Sequence, residues 1–125
     1  MKFFIITLVL LFSVGVFCAT WTHDGIRRVD EMIETLSAAQ EKDGTVPQNA
    51  MGTVEKLEKQ WAKNEFYISM LLPHHHLDEV KEKLISLKAY ASTEEFADWT
   101  EAKLVLLEEL EHIRALIRIS SDNVL

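Results

Sequence analysis

The chain opens with an uncharged apolar run from Phe3 to Ala19 (FFIITLVLLFSVGVFCA). Beyond it, apolar residues recur at alternating three- and four-residue steps, the period of an amphipathic helix. Ile26, Val29, Ile33 and Leu36 form a first stripe, with Asp24 ahead as an N-cap candidate and Gly44 behind as a stop. A second stripe, Val54, Leu57, Trp61, Ile68 and Leu71, lies between Pro47 and Pro73 and is interrupted by Asn64. Leu77, Val80, Leu84, Leu87 and Ala91 make a third. The fourth holds Phe96, Trp99, Leu106, Leu110, Ile113 and Ile117, broken by Lys103. Ser92-Thr93-Glu94-Glu95 reads as a capping box opening the last helix, and so short a connection makes the last two helices an antiparallel hairpin. No alternation of period two appears. The fold class expected is all-α: a signal-anchor helix over residues 1–19, followed over residues 20–125 by an antiparallel bundle of about four helices. The first of these can continue directly from the apolar run.

That run has two readings. A secretory signal would use Lys2 as its charged region and the apolar stretch as its core. A retained anchor needs about 17–25 apolar residues, and the run reaches the lower bound. Cleavage after Ala19 would put bulky Phe17 at the −3 position, and Trp21 stands where an interfacial aromatic sits, so the anchor is favoured. Lys2 then stays inside and the remainder faces outward. Arg27 and Arg28 are surrounded by Asp24, Asp30 and Glu31 and do not reverse this. Lipidation of Cys18 would also give an anchor, but Phe17 occupies a position that wants a small residue. The expected location is the cell membrane, single-pass through residues 3–19 with the C-terminal domain outside; the alternative is secretion after cleavage.

Composition narrows the functional classes. The 125 residues allow one small domain, and 48 % hydrophobic content gives it material for a core. One Cys excludes an intrachain disulfide framework and a Cys-rich zinc module. A formal charge of −7 argues against nucleic acid as a partner. Lys2 is the only charged side chain in the apolar segment, so the remainder is one unit more acidic. The four Gly are isolated, which leaves no phosphate-binding loop, and no Ser lies in a GxSxG context.

His74-His75-His76 is the chemical candidate that stands out. The run follows Pro73 and opens the third helix, where i,i+4 spacing pairs His74 with Asp78 and His75 with Glu79. Imidazole and carboxylate together suit zinc or another borderline divalent ion, and a helix N-terminus disfavours imidazolium. Three consecutive His point in three directions, so at most two can serve one ion. His112 lies among Glu108, Glu109 and Glu111 on the fourth helix and can pair with Glu108. The run begins the third helix and His112 lies near the end of the fourth, so antiparallel packing brings them together only if the two helices have similar lengths. The competing reading of all these groups is a solvated polar face.

Several of these residues carry a family resemblance. The Trp61 helix, His74-x-x-Leu77-Asp78-Glu79-Val80, Leu87-Lys88-x-Tyr90, Glu101-Ala102-x-x-x-x-Leu107 with Leu110 and His112-Ile113, and Ile119-Ser120-x-x-Asn123-Val124-Leu125 resemble the bacterial domain of unknown function 4363 family. The resemblance runs from about Val54 to Leu125; Thr20 to Thr53 matches only in being helical. It implies a membrane-anchored helical domain of Gram-positive, often spore-forming bacteria, and supplies no activity. It places His74, Asp78, His112 and Asn123 at recurring polar positions, whereas His75 and His76 are this chain's own and Pro73 replaces a frequent Asp. Three functional readings follow. The first is an envelope interaction module without catalysis, with an envelope protein as partner and Asn123 as an interaction candidate. The second is a divalent-metal-binding or metal-dependent hydrolytic protein using His74, Asp78 and His112. The third is a secreted ligand-binding bundle.

Overall fold

The computed structural model of the chain describes residues 1–39, 44–93 and 95–124, with side chains described as far as Ile119. Four helices account for nearly all of it: α1 (Lys2–Ser37), α2 (Ala50–Ser69), α3 (His74–Ala91) and α4 (Phe96–Val124). No strand occurs among the described residues. Consecutive helices pack on one another and α1 closes the ring against α4, giving an up-down-up-down bundle. The all-α expectation holds, and the expected anchor helix and first bundle helix are one uninterrupted element.

α1 changes character along its length. From Phe3 to Phe17 its large apolar side chains are exposed, whereas Thr22, Gly25, Val29, Met32 and Leu36 are buried. At 36 residues it is long and apolar enough to cross a membrane. Asp24, expected as an N-cap, lies mid-helix and pairs with Arg27 at 2.6 Å and Arg28 at 3.5 Å. Gly44, expected as the stop, sits in the connection with φ of +69°, while the helix ends at Ser37. Gly25 marks a close approach: an added Cβ would lie 2.7 Å from Leu71 Cδ1.

The stripes meet in one core. Val29, Leu36, Val54, Leu57, Ile68, Leu77, Val80, Leu87, Trp99, Leu106, Leu110, Ile113 and Ile117 are essentially inaccessible to solvent, as is Met32, which the first stripe omitted. Both interruptions have a physical role. Asn64 is buried and accepts a 2.7 Å hydrogen bond from Arg28, joining α2 to α1. Lys103 donates to Ala39 O at 2.6 Å, so its ammonium reaches a carbonyl just beyond the end of α1.

The α3–α4 connection differs from expectation. Ser92 is the C-cap of α3, its hydroxyl donating to Ala89 O at 3.0 Å, and Thr93 donates likewise to Tyr90 O. Ser and Thr thus close the preceding helix instead of opening the next one. Glu94 of the expected capping box lies outside the described residues. The backbone of α4 begins from Glu95, whose carbonyl accepts from Trp99 N–H at 3.0 Å.

Trp99 is the largest side chain with no exposure, so Trp99→Ala should cost about 3–5 kcal/mol through lost burial and a cavity. Phe66→Ala, at a side chain 72 % exposed, should fall within about 0.5 kcal/mol. Denaturant unfolding of the detergent-solubilised chain, followed by helical circular dichroism, checks both; equal losses would contradict the packing.

Candidate functional site

The α3–α4 hairpin creates the one three-residue metal-competent group found among the described residues. His76 lies on the first turn of α3 and His112 on α4, at nearly equal sequence distances from Ala91 and Phe96, the helix ends that bound the connection. The two helices are not of similar length, 18 residues against 29, and His112 lies in mid-helix instead of near the end of α4; a matched offset from the connection, not matched length, brings it to the histidine run. Antiparallel packing brings the two imidazoles to 5.7 Å between ring centroids, edge to face at 77°.

Glu109 precedes His112 by three residues and so occupies the same face of α4. Its Oε1 lies 4.0 Å from His112 Nδ1, a pairing of different register from the expected Glu108. One potential donor atom from each of His76, Glu109 and His112 lies within 4.8 Å of the others. Glu79, three residues beyond His76, presents its carboxyl group to Glu109 across the groove. A His-x-x-Glu on α3 thus faces a Glu-x-x-His on α4.

The environment makes this group electrostatically tense. Burial, with the Glu79 carboxyl beside it, pushes Glu109 above the usual carboxylate range; His112 and Lys83 pull the other way. Burial and neighbouring His75 hold His76 below the ordinary imidazole value, against Glu79. The His76 ring also packs on His75 at 4.0 Å. His76 Nδ1 and Glu109 Oε1 are buried without a hydrogen-bond partner. Such groups are ordinarily satisfied by protein, water or ion. Imidazole nitrogens beside carboxylate oxygens make a donor set that can coordinate a cation.

The sequence candidates divide around this arrangement. His112 belongs to it. His74 and Asp78 are exposed and lie outside the three-residue group. The side chain of Asn123 lies outside the described residues. His76, Glu79 and Glu109 were each in view as part of a run or an acidic face. What would have singled them out is the mirrored i,i+3 spacing at nearly equal distance from the hairpin connection.

The family model described as Domain of unknown function (DUF4363) matches residues 25–124, so the chain belongs to that family. The match begins upstream of Val54 and includes the bundle half of α1, leaving out the apolar run. No curated protein matches, and no solved structure does.

Because the Glu109 carboxylate is held against burial and a like charge, Glu109→Gln should raise the melting temperature of chelator-treated protein by a few degrees at neutral pH. A raised carboxyl pKa contributes stability below its ordinary value of 4.5 and loses it as pH rises through the raised one. The advantage of Gln should therefore shrink on acidification. Calorimetric melting at several pH values checks this; a lower melting temperature throughout would show that Glu109 is a stabilising partner.

Proposed function

We propose that this DUF4363 member is anchored in the cell membrane by residues 3–19 and displays its helical domain, residues 20–125, outside the cytoplasm as a non-catalytic interaction module of the bacterial envelope. The observation that carries the reading is the division within α1. Its first half turns large apolar side chains outward on every face, and its second half contributes a single buried stripe. An apolar surface all around a helix suits lipid, where backbone groups are satisfied within the helix itself.

The region between the halves supports the same placement. Trp21 stacks on Tyr67 with ring centroids 4.0 Å apart and planes within 5°. Trp21 Nε1 donates to Tyr67 O, and the Tyr67 hydroxyl donates to Trp21 O. Arg28 lies over the same Tyr67 ring at 4.4 Å. Two amphipathic aromatics where the helix leaves its apolar stretch are what a membrane–water boundary favours. They also fasten α2 to α1 at that level, so the domain is carried by a helix and not by a loose tether.

Binding is favoured over catalysis by what the outer surface offers. It has shallow clefts between neighbouring helices; one is lined by Trp61, Leu84 and Ile85 together with Glu58, Glu65, Lys81 and Lys88. The acidic balance suits a basic or cation-bridged envelope protein as partner.

Three measurements test the reading. Carbonate washing of native membranes should leave the chain in the pellet, and mature protein should begin at or near Met1; a start beyond Ala19 would mean a secreted domain. Leu10→Arg, which places a charge costing about 2.5–3.5 kcal/mol within the apolar run, should weaken membrane retention. Crosslinking at native expression, followed by mass spectrometry, should recover a heteromeric species. Recovery of monomer alone would count against an interaction module.

A further inference from the structure

We propose that His76, Glu109 and His112, with Glu79 as fourth ligand, form a zinc site that bridges α3 and α4. The inference is independent of the membrane placement and goes beyond the interaction reading.

Three facts of geometry carry it, and one of charge supports it. The donors come as two pairs, His76 with Glu79 and Glu109 with His112, each at i,i+3 on one helix face. This is a spacing by which helical bundles direct a carboxylate and an imidazole at one metal. The pairs oppose each other across an antiparallel hairpin, and the donors of His76, Glu109 and His112 already lie within 4.8 Å of one another. Two of the donor atoms, His76 Nδ1 and Glu109 Oε1, are buried and have no hydrogen-bond partner. Glu79 and Glu109 present two carboxyl groups to each other, a contact that a shared cation relieves.

The donor set chooses among ions. Two imidazole nitrogens and two carboxylate oxygens match the four-coordinate preference of zinc. Magnesium and calcium prefer oxygen-rich shells of six or more ligands. A thiophilic ion finds no thiolate, because the single Cys18 lies on α1 within the apolar run. His112 is about half exposed, which gives the ion an entry path from solvent. His74 and Asp78 stand outside the ligand set and serve as internal controls for surface histidine binding.

Isothermal titration of the detergent-solubilised, chelator-stripped full chain with zinc chloride tests the assignment. One ion should bind per chain at micromolar or lower concentration and raise the melting temperature. His112→Ala and Glu109→Gln should each weaken binding at least about tenfold, since even outer-shell partners cost about 10–100-fold. His74→Ala should leave affinity unchanged. Helical circular dichroism of each variant separates ligand loss from unfolding, and zinc-edge X-ray absorption of the wild-type complex should show two imidazoles in the shell. A dissociation constant weaker than about 100 µM overturns the proposal, as does affinity lost with His74→Ala but kept with His112→Ala. A shell lacking imidazole does the same.

Discussion

A single unbroken helix carries two different surfaces, and the other described helices are arranged along one of them. α1 keeps its backbone hydrogen-bonded along 36 residues while its side chains change from an apolar surface on all sides to a stripe facing other helices. Because no break separates the halves, the direction of the first sets the axis of the second. α2 and α4 both lie along that axis. The Trp21–Tyr67 stack and Gly25 fix how closely they approach it, and Arg114–Asp30 at 2.9 Å ties α4 to it farther along.

The core was legible in the sequence because burial of a helix leaves a periodic trace. Every stripe residue from Val54 to Leu57 and from Leu77 to Leu87 is buried as its spacing requires. What periodicity cannot convey is the use of a polar residue inside a stripe. Asn64 and Lys103 look like flaws in one-dimensional order, yet each satisfies a group on another helix: Arg28 for the first, Ala39 O for the second. Their partners lie tens of residues away, beyond the reach of any local pattern. Helix ends were read less well for a related reason. Ser92 and Thr93 have hydroxyls that can bond forward or backward, and the end of α3 offered carbonyl acceptors.

The candidate site shows the same division between local and relational information. His74 and Asp78 drew attention because i,i+4 is visible along one helix, but both face solvent. The group that converges depends on two helices and on the length of the turn between them. That relation was contained in the chain: positions equidistant from a tight antiparallel connection lie side by side. Applying it to His76 and His112 also recruits Glu79 and Glu109, through i,i+3 spacing on the two helices. The resulting contacts conflict with the otherwise consistent bundle. A partly buried carboxyl group beside another carboxyl group, near an unpartnered imidazole nitrogen, is held away from its ordinary ionisation. Proteins accept such conflicts where a site requires them.

The position of that conflict bears on how an ion would act on the bundle. α3 touches α2 and α4, while α4 also packs on α1, so the hairpin is held to α1 from its α4 side. Arg114, two residues beyond His112, makes the bond to Asp30. Asp30 lies nine residues past Trp21, about 14 Å along a helix rising 1.5 Å per residue. An ion joining His76 and Glu79 to Glu109 and His112 would fasten the start of α3 to the segment of α4 already fixed against α1. The α2–α3 connection, bounded by Met70 and Pro73, would be restrained with it. Occupancy could therefore alter the surface formed by α2 and α3 without moving α1. Such coupling requires only that the ion bind one arrangement of the hairpin better than another.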